Sequence, residues 1–407
     1  MRSCSRVSRS PGAFQHPARV ERGANAERRN ELDWLRVLAV VMLIYYHTAA
    51  IFVHWDSVIN NGDRSVWADI FVLYMDQWFM PLFFVIAGAA TRFSLEWRKP
   101  ISYAGERTKR LLVPLVFGIF VVVPPQVFYE RLQDPIHHRS FPEFYLHLLD
   151  GVYPAGNLSW HHLWFVAYLF VFSLVTLPGF LWLRTALGRR LLAGLAGLCG
   201  RSGWIFLPAL GLAASEAALR ARYPGPPNFV DDWASVFFFA AFYACGYVLY
   251  SDERLLQAVE RGWKAALVGA LVSTSTGVAL FLSGKVPGYG NPPACGGSPG
   301  WILLMILRGF NSWSWVLVWF GLARRHLRCR PCWLGYASEA AYPFYILHLT
   351  AVVVIGYYVV QLNWGVPVKY LAITTSALVA TLAVYHLLVR PIPLLRFLFG
   401  MKLPGRK

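Results

Sequence analysis

Residues 32–47 read LDWLRVLAVVMLIYYH, and from Val37 to Tyr46 no side chain carries a charge. Continued through Ala50 and Phe52, the run is long enough to cross a hydrocarbon core of ~30 Å, for which a helix needs ~20 residues. Comparable stretches recur along the chain. Ten are expected in all, near 33–54, 69–90, 111–129, 163–183, 203–220, 233–250, 264–283, 300–322, 340–360 and 369–389. The seventh is the least apolar, because Ser, Thr and Gly crowd 273–277, although small residues also serve close helix packing in lipid. None of the runs shows the ten-residue alternation of barrel strands, and backbone amides in lipid must pair within their own segment, so helices are the spans expected.

Composition agrees. Of 407 residues 57% are hydrophobic and 14% charged, which excludes an ordinary water-soluble enzyme. The net charge of +17 is explained by where the basic residues lie, since short loops rich in Lys and Arg stay on the cytoplasmic side. Residues 1–31, 91–110, 184–202, 251–264, 323–330 and 390–407 carry 7, 6, 4, 3, 4 and 5 of them, 29 of the 38. The alternating loops hold only Arg64, Arg131, Arg139, Arg220, Arg222, Lys285, Arg308 and Lys369, and Arg36 lies inside the first span. The expectation is an all-α integral membrane protein, a bundle of about ten transmembrane helices with both termini in the cytoplasm. Residues 1–31 read as a basic, disordered tail without the apolar region of a secretory signal. The transmembrane domain occupies 32–398, and 399–407 form a short basic C-terminal tail. No aromatic-interleaved basic patch points to nucleic acid. Six scattered cysteines give no disulfide framework, and Cys329-Arg-Pro-Cys332 lacks the second pair a metal site needs, so no metal is expected.

Ionisable groups inside a span are costly and default to a functional reading. Arg36 and His47 are eleven residues apart, three helical turns, so they share one helix face with ~16 Å of rise between them. Arg36 then lies near the cytoplasmic surface and His47 past mid-membrane. The plainer readings are an arginine anchored by Asp33 one turn earlier and a histidine bonded within the core. Arg107 and Arg110, at i and i+3, open the third span on its cytoplasmic side. Three arginines at one depth suit phosphate, because each guanidinium offers a planar fork; a basic helix end is equally a topology signal. In the ninth span Tyr342, Tyr345 and His348 recur every three residues, with Pro343 between them and Glu339 at the cytoplasmic end, where it can cap the helix. Trp160-His161-His162 and Trp164 open the fourth span, where they can stack on a sugar or form an interfacial aromatic belt.

Several blocks in this order resemble the membrane-bound acyltransferase 3 family: Arg36, ten residues and His47; MPLFFVIAG at 80–88; Arg107-x-x-Arg110; HLWFVAYL at 162–169; and Tyr-Pro-Phe-Tyr-Ile-Leu-His at 342–348. The resemblance spans roughly 31–396 and is nearest the glucan biosynthesis protein C branch. It implies an O-acyltransferase in the cell membrane, by that branch a bacterial inner membrane. Its reaction would move acetyl or succinyl from cytoplasmic acyl-CoA to a hydroxyl of a carbohydrate or small-molecule acceptor beyond the cytoplasm. It further implies acyl-CoA as co-substrate rather than a bound cofactor, Arg36, Arg107 and Arg110 on the CoA phosphates, and His47 as base or transient acyl carrier. His162, Trp164, Tyr345 and His348 are the candidate acceptor-side residues. A transporter that uses intramembrane His and Arg, and a non-catalytic component of glycan assembly, are the alternatives.

Overall fold

A computed structural model describes residues 30–134, 140–201, 203–283 and 299–402; the N-terminal tail up to residue 29 and the last five residues lie outside the described residues. Every one of the ten expected stretches is helical. In chain order they are α1 (Asn30–Phe52), α2 (Val66–Trp97), α3 (Pro100–Arg131), the bent pair α5 (His161–Val175) and α6 (Leu177–Leu183), α8 (Trp204–Leu219), α9 (Trp233–Leu249), α10 (Glu253–Leu282), α11 (Pro299–His326), α12 (Leu334–Val359) and α13 (Val366–Val389). Three shorter helices complete the set: α4 (Phe141–Leu146), α7 (Ala186–Cys199) and α14 (Pro393–Leu398). Seven of the long helices are of spanning length and apolarity, and the α5–α6 pair, bent by 48°, makes an eighth. Helices α8 and α9 are shorter apolar helices, near the lower limit of ~17 residues for a crossing.

The seventh expected span grows downward in the structure: α10 begins at Glu253, where the Asp252 side chain accepts from Arg254 N–H as its N-cap. Charge on Arg254 and Lys264 hid that opening stretch from a hydropathy reading.

Helix α2 is the central post. It packs against α9 so closely that a Cβ at Gly88 would fall 1.9 Å from the Tyr243 carbonyl oxygen, and one at Gly246 would fall 2.1 Å from that of Val85. Absent side chains let the two backbones meet, the usual basis of helix association in lipid. Around this crossing Phe84 contacts Phe165, Phe172 and Phe239. On the other flank α1 lies against α12, and α12 against α13.

The α1–α12 contact also fixes direction. Arg36 meets Ser338 and, further along both helices, His47 meets His348. The order is the same on each, so the two helices run parallel, as a first and a ninth span must if every helix between them crosses once.

Candidate active site

The site is built from α1, α3, α5 and α12. Near the start of α1, Arg36 Nη1 lies 3.3 Å from Asp33 Oδ1 and 3.5 Å from Ser338 Oγ. The Ser338 hydroxyl donates to the same aspartate at 2.8 Å. Arg36 therefore has the Asp33 partner the plainer reading gave it, and it also faces α12. Three turns on, the His47 ring centroid is 5.1 Å from that of His348. The shared face expected from the eleven-residue spacing is present.

The arginines of α3 lie at an irregular turn. Thr108–Leu112 forms a π turn, a device that relieves the clash of Pro114 with the carbonyl of Arg110. The two side chains take different partners. Arg107 reaches Thr91 Oγ1 at 3.4 Å and lies 4.8 Å above the Tyr103 ring, whereas Arg110 Nε pairs with Glu106 at 3.3 Å. Both still act electrostatically on Tyr342, one turn above Ser338 on α12, so all three arginines flank the same stretch of that helix. Glu339 is not a bare cap: it accepts from Arg396 of α14 at 2.7 Å, which places the C-terminal helix beneath this end of the site.

Above the arginines, α12 presents one stripe. Tyr342 and Tyr345 stack with centroids 6.5 Å apart and an interplanar angle of 5°, and Tyr345 contacts His348 at 5.8 Å. His348 is also 5.2 Å from His162 at the start of α5. Three imidazoles from three helices thus meet: His47, His348 and His162. The Tyr345 hydroxyl donates to the His162 carbonyl and ties α12 to α5.

The backbone decides the tautomer of two of them. His348 Nδ1 lies 2.6 Å from the Tyr345 carbonyl and His162 Nε2 lies 3.0 Å from that of Ile346. A carbonyl only accepts, so each of these nitrogens carries the proton and its opposite nitrogen keeps a lone pair. Those opposite atoms, His348 Nε2 and His162 Nδ1, are buried without a hydrogen-bond partner among the described residues. Buried lone pairs of that kind are rare and mark places where a donor arrives. His47 itself touches Tyr46 and His348 by ring contact and has no hydrogen bond among the described residues.

Trp164 stands apart from the other candidates. It packs against Tyr168 and Phe239 at 5.3 and 5.2 Å, in the aromatic core around α9. Two polar groups close to the site were overlooked in the sequence. Tyr46 donates to Asp76 of α2 at 2.7 Å, and Gln126 of α3 donates to Thr350 of α12 at 2.7 Å. Asp76, in the run LYMDQWFM, is a carboxylate within the second span, and the rule that singled out His47 applies to it equally.

Residues 29–386 match the family described as the acyltransferase domain, Acyl_transf_3. The chain belongs to the acyltransferase 3 family. Glucans biosynthesis protein C of Salmonella typhimurium (strain LT2) is 24% identical over 396 residues, which cover 94% of this chain and 97% of the relative. The proteins of that description from Salmonella typhi and Salmonella paratyphi B are 24% and 23% identical over the same extent. No solved structure matches the chain. With its array of apolar helices the acyltransferase is a multi-pass bacterial membrane protein, and as an O-acyltransferase it needs an acceptor alongside its acyl donor. Family membership favours the enzyme over the transporter reading.

Proposed function

We propose that this acyltransferase takes acetyl or succinyl from cytoplasmic acyl-CoA and places it on a hydroxyl of a carbohydrate at the opposite membrane face. The observation that carries the reading is the alignment of Arg36 and His47 along α12, with ~16 Å of helical rise between them. That spacing suits a donor with phosphates at one end of a long arm and a thioester at the other. Arg36, Arg107 and Arg110 would hold the phosphates, the planar fork of each guanidinium matching phosphate oxygens.

His47 is the reacting imidazole. As a general base it takes the proton of the acceptor hydroxyl while that oxygen attacks the thioester carbonyl; the C–S bond breaks, and the proton passes to the departing thiolate to give CoA and an ester. As a carrier it first forms an acyl-imidazole with loss of CoA, and the hydroxyl then attacks that carbonyl. The lone pairs of His348 and His162 are placed to accept from the incoming hydroxyl in either sequence. The name of the relatives, glucans biosynthesis protein C, supports a glucan acceptor.

The test uses vesicles containing the full chain, with labelled acetyl-CoA or succinyl-CoA on the cytoplasmic face and soluble glucan oligosaccharide on the other. Label is expected in the glucan, and His47→Ala is expected to abolish its appearance while the protein still inserts. Full transfer by that variant would end the assignment of His47. Label retained on the protein before acceptor is added, with release of stoichiometric CoA, identifies the carrier sequence.

A further inference from the structure

At the outer end of α3, beyond the three histidines, a carboxylate and an imidazole are held close without touching. Glu130 Oε1 accepts from the Tyr153 phenol at 2.7 Å. Its other oxygen, Oε2, lies 3.6 Å from His161 Nε2, near enough for charge attraction and too far for a hydrogen bond. Both atoms are buried and lack a hydrogen-bond partner among the described residues, and the His161 side chain is only 7% exposed. Leaving such a pair empty costs about 1–3 kcal/mol for each group, so the arrangement is made for something that fills it.

The gap selects the filler. An oxygen about 2.8 Å from both atoms closes a triangle on that base, within ordinary hydrogen-bond range. The neighbouring carboxylate favours the tautomer with the proton on His161 Nε2, and the filler must then donate to the carboxylate and accept from that N–H. A hydroxyl does both. A carboxylate or phosphate would meet Glu130 with like charge, and an ammonium has no lone pair for His161.

The surroundings hold the pair rigid. Arg131 Nη2 donates to the Gly156 carbonyl at 3.0 Å and its guanidinium lies 5.7 Å from the Tyr153 ring, pinning the loop over residues 150–158. The Tyr153 ring sits 5.0 Å from that of His161. Burial first, and the Glu130 carboxylate second, push the Tyr153 phenol above its ordinary pKa, so it remains a donor. His161 adopts φ +35°, a left-handed conformation costly for a residue with a Cβ. This conformation sends consecutive imidazoles in different directions: His161 lies against Glu130, while His162 joins His348.

We propose that Glu130, His161 and Tyr153 form an acceptor subsite that holds a non-reacting hydroxyl of the carbohydrate while another of its hydroxyls reaches the histidine cluster. The inference rests on the acyltransferase reading above. These are positioning residues: among the described residues the ring contacts of His47 are with Tyr46 and His348 and not with this group.

The experiment measures steady-state transfer from acetyl-CoA or succinyl-CoA to soluble glucan oligosaccharide in proteoliposomes, together with thermal stabilisation of the protein by acyl-CoA alone. Glu130→Gln and His161→Gln are expected to raise KM for the glucan about tenfold, as loss of one charge-assisted hydrogen bond would. KM for acyl-CoA, kcat and stabilisation by acyl-CoA stay as in the parent chain. Tyr153→Phe gives a smaller rise in the same KM and serves if either other variant fails to insert. An unchanged glucan KM means that water occupies the gap and overturns the proposal, as does a parallel fall in kcat and in both affinities. A parent chain stabilised by acyl-CoA that transfers nothing to glucan overturns the carbohydrate subsite and the glucan acceptor, and leaves the acyl-CoA donor standing. One that neither binds acyl-CoA nor transfers it removes the proposed function with it.

Discussion

The imidazoles of His47 and His348 face each other 5.1 Å apart across the α1–α12 boundary, one without a hydrogen bond among the described residues and the other locked by the Tyr345 carbonyl. Removal of the locked ring takes away the lone pair nearest His47. His348→Ala is expected to reduce kcat about 10²-fold, the usual scale for one acid–base partner, with acyl-CoA binding retained. Transfer rates and acyl-CoA titration on the purified variant check both effects, and a parent-like kcat would assign His348 to packing alone.

Arg36 shares Asp33 with Ser338 and has the geometry of a planar fork. Arg36→Ala is expected to raise KM for acyl-CoA about 10–100-fold, the range for hydrogen bonds to a charged group. Arg36→Lys is expected to recover only some of it, because an ammonium cannot make the bidentate contact. The decisive comparison is acyl-CoA against a pantetheine thioester without the nucleotide phosphates, for which the three chains should behave alike.

Tyr46 ties α1 to α2 through Asp76, immediately beside His47. Tyr46→Phe removes that bond and little else. A fall in kcat of about tenfold, corresponding to about 1.4 kcal/mol of lost orientation, is expected with an unaltered KM for acyl-CoA. Equal kcat values in parallel assays would show that His47 is oriented without this link.

The crossing of α2 and α9 has no room for a methyl group. Gly246→Ala is expected to destabilise the fold by about 1–3 kcal/mol, the cost of overpacking, seen as a lower melting temperature in detergent. Gly105→Ala, where nothing lies within 4 Å of an added Cβ, is the control that should leave it unchanged.

Apolar runs disclosed the ten helices because lipid imposes one period and one length on anything that crosses it. The same logic placed Arg36 and His47 on one face, since a regular helix carries angular information over three turns. It says less where the helix is irregular: Thr108–Leu112 is a π turn, and spacing did not show that Arg107 would reach Thr91 while Arg110 pairs with Glu106. Trp164 was drawn toward the histidines by its neighbours in sequence, yet α5 turns it toward Phe239. Tautomers, orphaned lone pairs and the 3.6 Å gap between Glu130 and His161 depend on which carbonyls the folded backbone offers, and one-dimensional order does not hold that information.

The chain separation between the partners of Arg36 has its own outcome during synthesis. Ser338 is made 302 residues after Arg36, so the first helix waits in the bilayer, its guanidinium beside Asp33 and its imidazole without His348, until the penultimate crossing arrives. A ribosome that stops before Leu334 leaves a bundle without Ser338, Tyr345 and His348. Assembly therefore gates the proposed thioester chemistry: premature fragments lack the helix along which Arg36 and His47 are aligned.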